Sequence, residues 1–120
     1  MSYDPNNIFA KILKGDIPCD KVYEDDHVLA FRDLHPQAPT HILVIPKGAY
    51  MDMDDFTANA SAEEITAFFK AVGQIARTEG VAESGYRIIS NCGVNSGQEV
   101  PHLHIHILGG RKLGRMVAAA

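Results

Sequence analysis

The sequence lacks the features that define several protein classes. It contains only two cysteines, Cys19 and Cys92, and they form no C-x-x-C motif, so free thiols in a reducing compartment are expected. No apolar stretch is long enough to span a bilayer, and residues 1–14 lack the apolar core of a signal peptide. A net charge of −4 gives no electrostatic reason to bind nucleic-acid polymers. We therefore expect a cytoplasmic protein that binds neither membranes nor nucleic-acid polymers.

What is present fits one globular domain. Hydrophobic residues make up 46% of the 120 residues and charged residues 22%, which is ordinary for a folded domain. A chain of this length can bury roughly two-thirds of its unfolded surface. We expect a single domain over residues 1–120, with mobile tails at residues 1–5 and 116–120.

Hydrophobic periodicity predicts an α+β domain. A short helix is expected over residues 8–14, with Asn6 or Asn7 as its N-cap and Gly15 at its end. A long helix should begin at the capping box of Ser61 and Glu64 and run to about residue 79. Its predicted buried stripe is Ile65, Phe68, Phe69, Val72 and Ala76. Residues 52–59 are predicted to be irregular. Strands are expected over residues 21–24, 28–32, 40–46, 85–91 and 102–108.

The last predicted strand alternates three histidines with branched apolar residues. Because side chains alternate along a strand, His102, His104 and His106 should share one face, about 7 Å apart. The opposite, apolar face should pack on the long helix. Three histidines on one face can ligate a metal ion, or one can act as a nucleophile while its neighbours bind an anion. The third interpretation is a strand whose histidines have no functional role.

Two further segments have both a structural and a functional interpretation. Asp33 directly follows a predicted strand, where it can form a turn or accept hydrogen bonds from sugar hydroxyls. Residues 92–98 are rich in Gly, Ser and Asn, and such a loop can bind phosphate oxygens through its N–H groups. The same loop could also be a plain hairpin connection.

The histidine segment, His102-Leu103-His104-Ile105-His106-Ile107-Leu108, matches the pattern of the histidine-triad (HIT) family without a departure. Flanking segments resemble the Hint branch of that family: Ile8 to Ile12, Ala30 to Asp33, Pro36 to Lys47, Gly85 to Arg87, Gly97 to Val100 and Leu108 to Arg111. The resemblance covers nearly the whole chain. It implies a HIT-like fold and a purine nucleoside phosphoramidase that cleaves the P–N bond of AMP or GMP amidates, lysyl-AMP-type adducts included.

The resemblance also implies a role for each site residue. His104 corresponds to the nucleophile, and His41 and His102 correspond to buried partners that orient it. His106, Gly97 and Gln98 correspond to groups that bind phosphate oxygens. The remaining substrate-binding positions are Asp33 for the ribose, Asn91 for ribose and phosphate, and Ile8, Phe9, Ile12, Phe31 and Leu34 for the purine.

Two residues depart from the animal members that the chain resembles. Glu99 stands where those proteins carry a small hydroxyl residue that assists the leaving group, and Arg32 replaces a histidine. Glu99 is kept as a substrate-binding candidate.

No metal or cofactor is expected, because no carboxylate closely follows the His-x-His pair. A homodimer is expected from the resemblance. The alternatives are a nucleotide-binding regulatory protein and a metal protein that uses His41, His102, His104 and His106.

Overall fold

The computed structural model describes residues 2–118. Met1, Ala119 and Ala120 lie outside the described residues, so the two predicted mobile tails are described only in part. Near the C-terminus, Met116 and Val117 are 83% and 76% exposed. Near the N-terminus, Tyr3 is half-buried and its hydroxyl is hydrogen-bonded to His102, a contact that the tail prediction did not include.

Five strands form one antiparallel sheet. They are β1 (Lys21–Glu24), β2 (Val28–Arg32), β3 (Thr40–Pro46), β4 (Tyr86–Ile89) and β5 (Ile105–Gly109). The order across the sheet is β1-β2-β3-β5-β4, so β5 lies between two strands that precede it in the chain. His41 is opposite Leu108, and Leu43 is opposite His106. Residues directly opposite each other share a face, so this register brings His41 and His106 together.

Two helices form where the capping signals predicted them. In α1 (Ile8–Lys14), the Asn7 side chain accepts a hydrogen bond from the Ala10 amide, and Gly15 ends the helix at a φ of 83°. In α3 (Ala62–Thr78), both hydrogen bonds of the predicted capping box are present. These contacts satisfy N–H groups that a helix leaves free at its start. The predicted α+β class, with one short and one long helix, is confirmed.

The prediction of an irregular segment at residues 52–59 was wrong. Met53–Asn59 forms a third helix, α2, with the Asp52 side chain as its N-cap. Phe56 in this helix is fully buried, and its ring packs edge-on against the rings of Tyr50 and Phe68, 5.1 Å away in each case. A seven-residue helix is marginal by itself, so these tertiary contacts account for it.

The predicted stripe of α3 was wrong at Phe69, and Ile65 is only half-buried. Phe69 is 41% exposed, whereas Ala71 and Ile75 are buried in its place. The buried residues of this helix are Phe68, Ala71, Val72, Ile75 and Ala76.

The predicted histidine strand was too long at its start. It begins at Ile105, because the Leu103 amide donates to the Tyr50 carbonyl instead of joining the β3 ladder. The alternation of the side chains nevertheless continues through this segment. Leu103 joins Ile105 in the core beneath α3, while the His102 ring contacts Phe9 on the other side of the sheet. The predicted strand at residues 85–91 is likewise shorter, Tyr86–Ile89.

The sheet separates two apolar clusters. The larger cluster lies between the sheet and α3, and includes Ile42, Val44, Phe68, Val72, Leu103, Ile105 and Ile107. The smaller cluster lies on the α1 side, and consists of Phe9, Leu29, Phe31, Leu43 and Ile45. Within residues 2–118, no helix is long and apolar enough to cross a membrane. The α1 side also carries the candidate site.

Candidate active site

A cavity of about 450 Å³ opens beside α1 and the ends of β2 and β5. Its walls are contributed by several separate segments of the chain, and they combine apolar side chains with a small number of histidines and carboxylates. The lining residues are Ile8, Phe9, Ile12, Ile17, Pro18, Cys19, Asp20, Phe31, Arg32, Asp33, Leu34, His35, Gln37, Leu43, Asn91, Gly97, Glu99, Val100, His104 and His106. A mostly apolar pocket with a few converging polar groups is typical of a small-molecule site.

Most of the residues singled out in the sequence line this cavity. The exceptions are His41, His102 and Gln98, which lie behind the walls or within the loop. Leu34 is 84% exposed, so it lies at the rim. The sequence analysis missed the wall formed by residues 17–20. Ile17 and Pro18 come just after Gly15, which ends α1, and this break in the chain beside a helix of the cavity wall is the signal that could have identified the wall.

The hydrogen bonds of His104 define its tautomer. Its Nδ1 lies 2.8 Å from the His102 carbonyl oxygen, and a carbonyl can only accept, so Nδ1 carries the proton. Nε2 therefore carries the lone pair, and no hydrogen bond within residues 2–118 uses it. The ring is 7% exposed and packs edge-on against Phe9 at 4.9 Å. Burial lowers the pKa of His104, which keeps the imidazole neutral and nucleophilic at pH 7.

The tautomer of His106 follows from a chain of two hydrogen bonds. The Gln37 amide donates to Nδ1 of His41 at 3.0 Å, so in the neutral His41 ring Nε2 carries the proton. That Nε2 lies 2.9 Å from Nδ1 of His106 and donates to it. In a neutral His106, Nε2 must then carry the remaining proton. Burial, followed by the charges of His104 and His41, lowers the pKa of His106 to about 4.

His104 and His106, both on the cavity wall, therefore differ in what they present. His104 offers a lone pair, whereas His106 offers an N–H donor, and their ring centroids are 5.1 Å apart. Burial also lowers the pKa of His41, so the relay behind His106 is uncharged at neutral pH. A nucleophile beside a donor is suited to attack on an atom that bears negatively charged oxygens.

His102 supports the site from behind. It is completely buried, with its Nε2–H donating to the Pro46 carbonyl at 2.9 Å and its Nδ1 accepting from the Tyr3 hydroxyl at 2.5 Å. Its carbonyl is the acceptor that defines the tautomer of His104. Burial lowers the pKa of His102, so this support is also neutral.

The structure shows Asp33 in a turn, and it also leaves the carboxylate on the cavity wall, where it can bind a ligand. One carboxylate oxygen accepts from the His35 amide at 2.8 Å, which closes a turn after β2. The other, Oδ2, lies 3.5 Å from Nε2 of His41. The side chain also lines the cavity, so it can still accept hydrogen bonds from a ligand.

The loop before β5 is held by Gln98. Its Oε1 accepts from the Gly93 amide at 3.0 Å, and its Nε2 donates to the carbonyls of Met51 and Val100. Gly97, which adopts a φ of 78°, and Glu99 do line the cavity. The Gln98 side chain thus shapes the loop, and its expected contact with phosphate oxygens remains a prediction.

The two cysteines are free thiols. Cys19 lines the cavity, and burial raises the pKa of its thiol, so it stays protonated and is a poor nucleophile. Cys92 is exposed. Of Cys19 and His104, His104 is therefore the better nucleophile.

Comparison with known proteins places the chain in a family. The HIT domain family model matches residues 14–113. A 13.2 kDa HIT-like protein of Azospirillum brasilense is 66% identical, covering 97% of this chain and 95% of its own. A protein of Escherichia coli strain K12 named purine nucleoside phosphoramidase is 49% identical, covering 92% of each chain. The crystal structure of a HIT family hydrolase from Legionella pneumophila superimposes with a TM-score of 0.84 at 43% identity, covering 91% of this chain and 96% of that one. Sequence and fold agree, and this chain belongs to the HIT family.

Proposed function

We propose that this protein hydrolyses the P–N bond of purine nucleoside 5′-phosphoramidates through a covalent nucleotidyl-His104 intermediate. The main support for this proposal is that His104 and His106 have opposite tautomers on the cavity wall. His104 presents a lone pair, and His106 presents an N–H donor. The 49% identical Escherichia coli relative is named for the same activity.

The cavity walls support a purine nucleotide as the ligand. Phe9 and Phe31 pack edge-on at 5.7 Å, and with Ile8 and Ile12 they form an apolar slot for a base. Asp33 lines the same cavity and its Oδ2 lies 3.5 Å from Nε2 of His41, and its carboxylate can accept both ribose hydroxyls. In this proposal the α-phosphate binds beside His104 and His106, with Asn91, Gly97 and Glu99 on the loop side and Gln98 holding the loop.

The proposed reaction has two displacements. The lone pair of His104 Nε2 forms a bond to phosphorus while the P–N bond breaks, and the nitrogen leaves as an amine after taking a proton from solvent. The Nε2–H of His106 donates to a nonbridging oxygen and stabilises its developing charge. A water molecule then attacks phosphorus and displaces His104. The products are the nucleoside monophosphate, a proton and the regenerated imidazole.

The positive charge that forms on His104 has a defined acceptor. Nδ1–H already donates to the His102 carbonyl, so charge arising in the ring strengthens an existing hydrogen bond. The carbonyl needs no rearrangement during the reaction, which is the advantage of a preorganised site.

Acid-quenched single turnover with an AMP amidate tests the proposal. Peptide mass spectrometry of the quenched protein should find the adenylyl group on the segment that contains His104. An adduct on another residue, or hydrolysis with no adduct at any quench time, would contradict the mechanism.

The proposed assembly is a homodimer in a reducing, cytoplasmic compartment, for which the two free thiols are suited. β4 pairs with β5 on one side only, and it carries two exposed apolar side chains, Tyr86 and Ile88. Such an edge promotes aggregation unless it is covered. Light scattering at micromolar concentration should give about twice 13.1 kDa, and a fully active monomer would contradict the dimer.

A metal site is the second candidate. Asp33, His41 and His106 each bring one ligand atom to within 4.8 Å of the others, whereas the histidine set predicted from sequence also included His102 and His104. A metal would have to displace the proton shared by His41 and His106, because imidazole binds metals through an unprotonated nitrogen. We expect full activity after chelation. Activity lost on chelation and restored by one divalent metal would favour the metal site.

A further inference from the structure

Tyr3 precedes the first helix, yet its side chain reaches the buried side of the site. Its hydroxyl lies 2.5 Å from Nδ1 of His102, and its ring packs edge-on against the His102 ring with centroids 5.6 Å apart. The two residues are separated by 99 positions in the chain.

The hydroxyl must be the donor in this pair. His102 Nε2 lies 2.9 Å from the Pro46 carbonyl, which can only accept, so Nε2 carries the ring proton and Nδ1 carries the lone pair. His102 is completely buried, and within the described residues the Tyr3 hydroxyl is the partner of its Nδ1. Tyr3 therefore satisfies the last polar atom of this ring.

His102 links Tyr3 to the nucleophile. Its ring is held between Pro46 and Tyr3, and its own carbonyl accepts the Nδ1–H of His104 at 2.8 Å. Without the Tyr3 hydroxyl, the His102 ring would have to turn to find a new partner for its Nδ1. This turn would displace the main chain of His102. That movement would lengthen the hydrogen bond that keeps the lone pair of His104 on Nε2.

The segment around Tyr3 is itself anchored. The Asp4 carbonyl accepts from the Asn7 side chain at 2.7 Å, and the Asp4 carboxylate accepts from the Asn6 amide at 2.9 Å. Asn7 in turn caps α1, the helix whose Phe9 contacts the His104 ring. The N-terminal segment is thus continuous with the wall of the site.

We propose that Tyr3 is a positioning residue, whose hydroxyl holds His102 so that the His102 carbonyl keeps His104 in the nucleophilic tautomer. The proposal rests on the function proposed above and assigns Tyr3 no contact with substrate.

The test is Tyr3→Phe, which keeps the aromatic packing and removes only the hydroxyl. The matched control is Tyr23→Phe, because the Tyr23 hydroxyl also donates one partly buried hydrogen bond, to Asp25 at 2.7 Å, away from the histidines. For Tyr3→Phe we expect kcat to fall about tenfold while KM for the AMP amidate stays within about twofold of wild type. Tyr23→Phe should lower Tm by a similar amount and leave both constants unchanged.

Nitrogen-15 NMR of the histidine rings gives a readout that needs no substrate. In Tyr3→Phe the Nδ1–H signal of His104 should shift and broaden, whereas Tyr23→Phe should leave it unchanged. If the wild-type protein hydrolysed no phosphoramidate, the proposed function would fail, but this comparison would still decide the role of Tyr3.

Two results would overturn the proposal. One is Tyr3→Phe turnover within twofold of wild type, with the His104 Nδ1–H signal unmoved. The other is an equal loss of kcat in both variants, which would show that the effect follows stability alone. Calorimetric binding of AMP checks that Tyr3→Phe is folded, since its affinity should match that of wild type.

Discussion

The two faces of the sheet are stabilised by different kinds of contact. On the α3 face, Phe68, Val72 and Ile105 are buried among other apolar side chains, and none depends on a single partner. On the α1 face, His102 and His104 are also buried, but their ring orientations depend on particular hydrogen bonds. Apolar packing is spread over many atoms, whereas a buried polar group depends on its partner. Substitutions on the first face should therefore change stability, and those on the second should change activity.

The largest expected effect is the loss of turnover in His104→Ala. We expect kcat to fall by at least about a thousandfold, since His104 supplies the nucleophile of the proposed covalent step. Binding of AMP should persist because the slot and Asp33 are unchanged. Single-turnover assays and calorimetry measure the two quantities. In His104→Gly, added imidazole should restore part of the activity. Near wild-type turnover by His104→Ala would show that activity does not depend on the buried histidines of the α1 face.

Phe68→Ala should give the largest loss of stability. The ring is fully buried beneath α3, and replacing a buried Phe by Ala costs about 3–5 kcal/mol in the free energy of unfolding. Urea denaturation measures this loss, and kcat per folded molecule should remain unchanged. Phe69→Ala is the matched control, because Phe69 is 41% exposed and should cost much less. Equal losses for the two variants would refute the assignment of the core face.

Asp33→Asn should weaken nucleotide binding by about 1–3 kcal/mol, the range for a hydrogen bond to a charged group. The reason is that a carboxylate accepts from both ribose hydroxyls, whereas an amide offers only one acceptor oxygen. Binding of a 2′,3′-dideoxy nucleotide should weaken much less, as calorimetry can show. Equal losses of affinity for the two ligands would show that Asp33 only forms the turn and does not bind the ribose hydroxyls.

The burial of His106 predicts a gradual dependence of stability on pH. Its pKa is lowered from 6.5 to about 4, so between these values the unfolded chain binds a proton that the folded protein excludes. The free energy of unfolding should therefore fall as pH drops from about 6.5 to about 4. His106→Asn should flatten this slope. If the free energies of unfolding of the wild type and of this variant ran parallel over this pH range, the prediction would be contradicted.

The smallest effect is expected from Glu99→Gln. Glu99 lines the cavity beside His104, and an exposed carboxylate near the phosphate repels anionic leaving groups and attracts cationic ones. The ratio of kcat/KM for AMP amidates of a diamine and of an amino acid should fall about two- to fivefold in the variant, in keeping with a surface charge. An unchanged ratio would show that Glu99 does not lie close enough to the leaving group to influence it.

Sequence patterns predicted the features that depend on neighbours along the chain. The Asn7 and Ser61 caps, the five strands and the alternation around His104 all arise from local spacing, and the structure confirms them. Asp33 and His104 could be predicted as site residues from the sequence, because Asp33 directly follows a strand pattern and His104 is part of one.

Features that depend on distant residues were not predictable in the same way. α2 is stabilised by the contacts of Phe56 with other elements, and the start of β5 depends on the carbonyl of Tyr50. The tautomers of His104 and His106 depend on partners that only the folded chain brings together. Tyr3 shows this most clearly, since nothing in residues 1–5 points to His102.

The order of the strands determines when the site can form during synthesis. β5 lies between β3 and β4 but is translated after both, so neither of its ladders can form until residues 105–109 have left the ribosome. A nascent chain that stops earlier exposes two unpaired strand edges, a risk for aggregation. The segment that completes the sheet also carries His106. The growing chain therefore closes its sheet and completes its candidate active site in one step, and shorter chains can do neither.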